Sequence, residues 1–306
     1  MYMSKQKVII IGAGEIGRAM RVILSKNKNF ILEQWSRKSG SSRGQKPIGD
    51  AVAGADFVLL CIPSWAMREV AASIKNYLKK GSIVITFAKG LEQKTKKTMD
   101  VVLKEELSRG QAYALIGGPM IAEEITAGKL GMGFAAVSEK KAFGKVRGLF
   151  EKSNIRIGYC ADMRAVAFCG VLKNIYAIGM GIADALNLGE NFKGWLAQQA
   201  VYEMSEILKI LGSKKEMVFL AGGFADLMAT GYSKNSRNRQ TGDDLAKTGA
   251  CCLESEGYIS FSGVAALLKN NPSVRSGRGI KRFPVFAALY SVMALGKDAR
   301  KVFYDL

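Results

Sequence analysis

Between Phe168 and Gly181 the chain reads FCGVLKNIYAIGMG, apolar or small throughout except for the adjacent Lys173 and Asn174. A segment apolar on nearly all sides belongs in a core, and an ammonium carried there needs a counter-charge or a chemical task. The sequence contains no histidine. Imidazole acid–base catalysis, His-assisted nucleophiles and His-containing metal sites are therefore excluded. Proton transfer falls to Lys, Asp, Glu, Tyr or Cys, and Lys173 is the best placed of these.

A second constellation is Gly12-Ala13-Gly14-Glu15-Ile16-Gly17, which follows the apolar run VIII and opens a helical pattern. Gly12 permits a tight turn, Gly14 lets a pyrophosphate approach the backbone, and Gly17 packs helix on strand. Free N–H groups where Glu15 and Ile16 begin the helix, together with its dipole, suit phosphate. A dinucleotide site is the expectation. After the run Phe30–Trp35, residues Ser36, Arg37 and Lys38 fall where the ribose 2′ group would lie, and Glu33 comes too early to reach it. Basic residues there accommodate a 2′-phosphate, which favours NADP over NAD as the cofactor.

These residues need elements to hold them. Lys7–Ile11, Phe30–Trp35, Asp56–Ile62, Ile83–Phe87, Ala112–Ile116 and Gly131–Val137 read as strands, with Ile155–Tyr159 as a last one. Runs such as FVLLCI and SIVITF are apolar without alternation, as strands covered on both faces are. Helical patterns at Arg18–Ser25, Met67–Tyr77 and Thr95–Leu107 alternate with them. After residue 160 only helical patterns remain, including Arg164–Leu186 and Phe192–Leu211, with shorter ones at Gly242–Lys247 and Gly263–Lys269. The expected fold is α/β: an N-terminal Rossmann-like, doubly wound parallel sheet over residues 1–160, then an all-α domain over 161–306.

Hydrophobic residues at 48% and charged residues at 23% indicate a globular chain. The opening apolar run is far too short to span a bilayer, and later ones are broken by charges, so no integral membrane segment is expected. Five cysteines without Cys-x-x-Cys spacing suit thiols kept reduced as small core residues in the cytoplasm. No metal site is expected. The formal net charge of +19 is spread along the chain, densest from Arg275 to Arg282. Such an excess suits nucleic acid, an anionic surface or phosphorylated small molecules; no nucleic-acid-binding motif accompanies it, and a generally basic surface is favoured over a nucleic-acid face.

Further residues complete the pattern. FAKG places Lys89 after the C-terminal end of a strand, where open α/β sheets bind ligands. GGPMIAEE follows another strand, and Gly223-Phe224-Ala225-Asp226 precedes Ser236-Arg237-Asn238-Arg239. From about Lys7 to Val302 the chain resembles the NAD(P)-dependent glycerol-3-phosphate dehydrogenases, through LKN with AIGMGIAD, then GGFADL, then SRNR. The resemblance implies interconversion of dihydroxyacetone phosphate and sn-glycerol 3-phosphate, the latter feeding glycerophospholipid synthesis. It also implies Lys173 as catalytic acid/base, with Lys89, Asn174 and Asp226 around the substrate. Ser236, Arg237 and Asn238 resemble the clamp on the substrate phosphate, and Gly118 a backbone contact. Ala122 and Glu256 resemble cofactor contacts. A homodimer is a possible assembly.

Elementary chemistry agrees with those roles. Hydride addition leaves negative charge on a carbonyl oxygen, which an ammonium stabilises and protonates. Arg offers a planar fork to phosphate oxygens. Asp226 and Arg237 lie on different elements, so a crevice has to bring them together. Asp184, close to three helical turns beyond Lys173, reads as a holder of its helix or loop, and Arg239, Arg275, Arg278 and Lys281 read as solvated. Cys251 and Cys252 read as inert. Three departures stand out: Met120 where the family pattern has Ser or Thr, Glu123 where a basic residue is common, and a glycine loop without the usual bulky aromatic. Residues 38–55 leave little room for a further strand, so that sheet edge is expected to be trimmed. Other readings are a reductase of a different keto or hydroxy acid, or a non-catalytic nucleotide-sensing or nucleic-acid-binding protein.

Overall fold

The structure, a computed structural model, describes residues 5–37, 46–252, 255–276 and 279–306. The chain packs as two compact units: Met1–Ala88 with Thr98–Val166, and Lys89–Lys97 with Ala167–Leu306.

The first unit is built on a seven-stranded sheet in the order β2-β1-β3-β4-β5-β6-β7. The strands are β1 (Gln6–Ile11), β2 (Phe30–Trp35), β3 (Phe57–Leu60), β4 (Ile83–Thr86), β5 (Ala112–Gly117), β6 (Gly131–Val137) and β7 (Ile155–Tyr159). Every residue of β3 and β4 is buried, which explains why their sequences are apolar without alternation. Among the described residues six α-helices lie between the strands: α1 (Glu15–Ser25), α2 (Ile48–Val52), α3 (Met67–Ile74), α4 (Met99–Glu106), α5 (Ala122–Thr126) and α6 (Phe143–Leu149). The chain runs from β1 outward to β2, then crosses to β3 on the other side of β1. That reversal is the switch point at which open α/β sheets bind ligands, and the glycine loop follows β1 there. Among the described residues β2 forms one edge of the sheet. Lys38 and the rest of 38–45 lie outside the described residues, as does Arg278.

The sheet is not wholly parallel, because β5 and β6 pair antiparallel. Residues 118–130, which hold the five-residue α5, connect the two strands, and β6 runs back beside β5.

The second unit is helical. It contains α7 (Met163–Ala185), α8 (Gly189–Ile210), α9 (Met217–Leu220), α10 (Gly223–Tyr232), α11 (Arg237–Thr248), α12 (Glu256–Asn270), α13 (Pro272–Arg275), α14 (Pro284–Met293) and α15 (Ala299–Tyr304). Asp162 starts α7 by accepting from Ala165 N at 2.9 Å. By length and apolarity α7 resembles a membrane span, but its apolar window is entirely buried within the protein, so it is a core helix. The run 223–248, expected to hold only one short helix, forms both α10 and α11.

A buried carboxylate ties α8 to α14. Glu203, fully buried, accepts from Val285 N at 2.8 Å and Phe286 N at 2.9 Å, and from Tyr176 Oη at 2.8 Å. It thereby satisfies donors at the start of α14 that the helix itself cannot pair. Three cysteines, 61, 160 and 169, are core residues as expected, but Cys251 is half-buried and Cys252 exposed.

Candidate active site

Three charged groups meet in the helical unit. Asp226 lies in the first turn of α10, where a carboxylate is favoured by the helix dipole. Its Oδ2 takes the Lys89 ammonium at 2.6 Å, and its Oδ1 takes that of Lys173, from α7, at 3.0 Å. Lys173 also donates to Thr230 Oγ1 at 2.7 Å, and Thr230 donates to Asp226 Oδ1 at 3.2 Å. Thr230 did not emerge from the sequence. One helical turn after Asp226 it shares that residue's face, a spacing that speaks only once α10 is known to be a helix.

Lys173 is 6% exposed and Asp226 3%, so this is a charge cluster within a core. Burial pushes the Lys173 pKa down to about 8, Asp226 opposes that fall, and the second ammonium of Lys89 adds to it. Burial alone would raise the Asp226 carboxyl. The charges of Lys173 and Lys89 outweigh that and hold it below the ordinary carboxylate value. Two ammonium groups share the Asp226 carboxylate, an arrangement that suits an electron-rich oxygen.

Amide side chains fix the surrounding backbone. Asn174 donates to the Lys89 carbonyl at 3.0 Å. Asn238, in α11, donates to Asn174 Oδ1 at 2.9 Å and accepts from Gly257 N at 2.9 Å. Ser236 caps α11, accepting from Arg239 N at 3.3 Å, and Arg237 is exposed at the first position of that helix. Glu256 is the first residue of α12, next to Gly257. The structure thus gathers Lys89, Lys173, Asn174, Asp226 and Asn238 through direct contacts, with Ser236 and Arg237 beside Asn238 in the chain and Glu256 beside its partner Gly257. Arg239 is not the solvated residue expected: it pairs with Asp184.

The remaining candidates lie in the sheet unit. Gly12 has φ +113, and a Cβ there would stand 2.2 Å from the Cys61 carbonyl oxygen. A Cβ on Gly17 would meet the Gly12 carbonyl oxygen at 2.3 Å, so α1 descends onto the loop only because both positions lack side chains. Among the described residues nothing lies within 4 Å of a Cβ on Gly14, the residue that precedes Glu15 and Ile16 at the start of α1. That cradle fits a dinucleotide pyrophosphate. The second strand ends at Trp35, so Ser36 and Arg37 fall just beyond it. The Arg37 guanidinium lies over the Trp65 ring, 5.8 Å from its centroid. Glu33 lies within the strand and pairs with Lys7 at 3.4 Å. Gly118, with φ +105, follows β5, and Ala122 opens α5. Met120 is buried in the core of this unit.

A sheet unit with a glycine loop at its switch point and a helical unit with a lysine–aspartate–lysine cluster together define a dinucleotide-dependent dehydrogenase. Family models for the NAD-dependent glycerol-3-phosphate dehydrogenase N-terminus and C-terminus match residues 42–143 and 162–304. A glycerol-3-phosphate dehydrogenase (NAD(P)+) of Moorella thermoacetica is 31% identical, with 96% of this chain and 93% of the relative covered. One of Clostridium tetani is 28% identical, covering 99% and 93%. In fold, the crystal structure of the Coxiella burnetii glycerol-3-phosphate dehydrogenase superposes with a TM-score of 0.85 at 23% identity, covering 98% of each chain. The chain belongs to the NAD(P)-dependent glycerol-3-phosphate dehydrogenase family.

Proposed function

We propose that this protein interconverts dihydroxyacetone phosphate and sn-glycerol 3-phosphate, with Lys173 as the acid/base. The observation that carries the proposal is the triad Lys89–Asp226–Lys173, in which Lys173 and Asp226 are buried. The nicotinamide, when bound, supplies hydride to the carbonyl carbon. Lys173 is the group that gives its proton to the carbonyl oxygen, and takes one from the alcohol in the reverse direction. Its pKa of about 8 leaves both protonation states accessible near neutrality. Asp226 and Thr230 hold the ammonium in place, and Lys89 adds positive charge against the developing oxyanion.

In this assignment Ser236, Arg237 and Asn238 hold the substrate phosphate, with a backbone contact at Gly118. The cofactor pyrophosphate lies on Gly12, Gly14, Glu15, Ile16 and Gly17, with Ala122 and Glu256 as further contacts. Ser36 and Arg37 at the end of the second strand favour NADP. The sheet unit is then the dinucleotide-binding domain and the helical unit the substrate domain. A cytoplasmic homodimer belongs to the same proposal.

Following nicotinamide absorbance with dihydroxyacetone phosphate and with unphosphorylated dihydroxyacetone tests it. Turnover is expected only with the phosphate ester, and equal turnover of both ketones would contradict the assigned clamp.

A further inference from the structure

Two adjacent residues at the start of α11 grip α7 in opposite directions. Asn238 reaches the middle of α7, to Asn174 Oδ1 at 2.9 Å. Arg239 reaches toward its C-terminal end, where Nε donates to Asp184 Oδ2 at 2.7 Å and a terminal nitrogen closes the fork on the same oxygen. The two anchor points on α7 lie nearly three turns apart, about 15 Å along the axis.

Between those anchors the helices cross backbone on backbone. A Cβ on Gly181 would stand 2.1 Å from the Arg239 carbonyl oxygen, and one on Gly242 would stand 2.1 Å from that of Ile178. The crossing fixes how closely the helices approach. Asn238 and Arg239 hold α11 to α7 on either side of it, and the Thr241–Ser255 and Asn238–Gly257 hydrogen bonds hold α11 to the start of α12. Lys193 of α8 donates to Asp184 Oδ1 at 2.9 Å, so the carboxylate joins three helices. Burial pushes the Asp184 carboxyl up, yet the hydrogen bonds from Lys193 and Arg239 outweigh it and hold the group below its ordinary value. It is an anion throughout the working range of pH.

We propose that Asp184 is a positioning residue for substrate phosphate recognition. Through Arg239 it sets the orientation of the first turn of α11, from which Ser236, Arg237 and Asn238 present their donors. This rests on the phosphate clamp proposed above. In this assignment the influence of Asp184 passes through the Arg239 fork to the first turn of α11. Arg237 is exposed and has two long-range anchors immediately after it in the chain, so its guanidinium begins from a fixed backbone. Displacing such a group by about 1 Å is enough to lose up to about a hundredfold in rate or binding.

Steady-state kinetics of Asp184→Asn, Arg239→Lys and Arg237→Ala test the proposal, with inorganic phosphate as a competitive inhibitor. In Asp184→Asn, KM for dihydroxyacetone phosphate and Ki for phosphate should each rise by about tenfold or more, while KM for NADPH stays within about twofold and kcat falls less than KM rises. Arg239→Lys keeps the charge but not the fork, and should move KM the same way by a smaller factor. It also serves as the test should Asp184→Asn not fold. Asp184→Glu should recover most of the loss. A lowered melting temperature in Asp184→Asn with wild-type KM and Ki, alongside a raised KM in Arg237→Ala, overturns the positioning role and leaves the clamp standing. An unchanged KM in Arg237→Ala overturns the clamp itself, and the positioning role with it.

Discussion

The Lys173 ammonium lies 3.0 Å from Oδ1 of Asp226, both groups enclosed by the helical unit. Folding lowers the lysine pKa from 10.5 to about 8. Between those values the unfolded chain holds more protons than the folded one, so this group's contribution to stability rises with pH across that window. Below pH 8 the destabilisation is fully present. The geometry therefore accepts a loss of stability to keep an ammonium poised near neutrality.

Replacing Asp226 by Asn should move the pH profile. Reduction needs protonated Lys173, so kcat/KM for the ketone falls above pH 8 in the wild type, and the oxidation rate rises toward that pH. Asp226 raises the Lys173 pKa, so its loss should shift the limb to lower pH and depress reduction at pH 7.5 by about tenfold or more. A pH–rate profile of the variant that superposes on the wild type would disprove the coupling.

Arg37→Ala should discriminate between cofactors. A guanidinium just beyond the second strand serves a 2′-phosphate and has little to offer a 2′-hydroxyl. KM for NADPH is expected to rise by about tenfold, the worth of one charge-assisted contact, while KM for NADH changes little. Equal effects on both cofactors would remove Arg37 from 2′ recognition.

Most strands were legible because the apolar runs end sharply at turn residues, as FVLLCI does before Pro63. The glycine loop and Lys173 stood out for the same local reasons. Direction was not legible: the apolar run of β6 carries no sign that it pairs antiparallel with β5. Helices α10 and α11 were obscured because GFADLMATGY is short and bounded by glycines near both ends, while RNRQTGDDLAKT is almost wholly polar and shows no apolar stripe. Thr230 was lost with α10. The Arg239–Asp184 pair joins residues 55 positions apart, a partnership that only the packing of α11 on α7 creates.

Glu203→Ala should unfold the helical unit more readily without touching the chemistry. The carboxylate's removal leaves Val285 N, Phe286 N and Tyr176 Oη buried without their acceptor. At about 1–3 kcal/mol for each orphaned group, a loss of at least about 3 kcal/mol is expected in denaturant titration. Glu203→Gln retains one acceptor oxygen and should lose less. An alanine variant within about 1 kcal/mol of the wild type would show that water or repacking satisfies the helix start.

The most direct measurement is the pH dependence of single-turnover dihydroxyacetone phosphate reduction by Lys173→Ala beside the wild type, with NADPH affinity measured in parallel. Removing the acid/base should lower the rate by about a hundredfold or more and abolish the limb near pH 8, with NADPH affinity unchanged. A variant that keeps the wild-type rate, or that keeps the limb at the same pH, would show that another group delivers the proton.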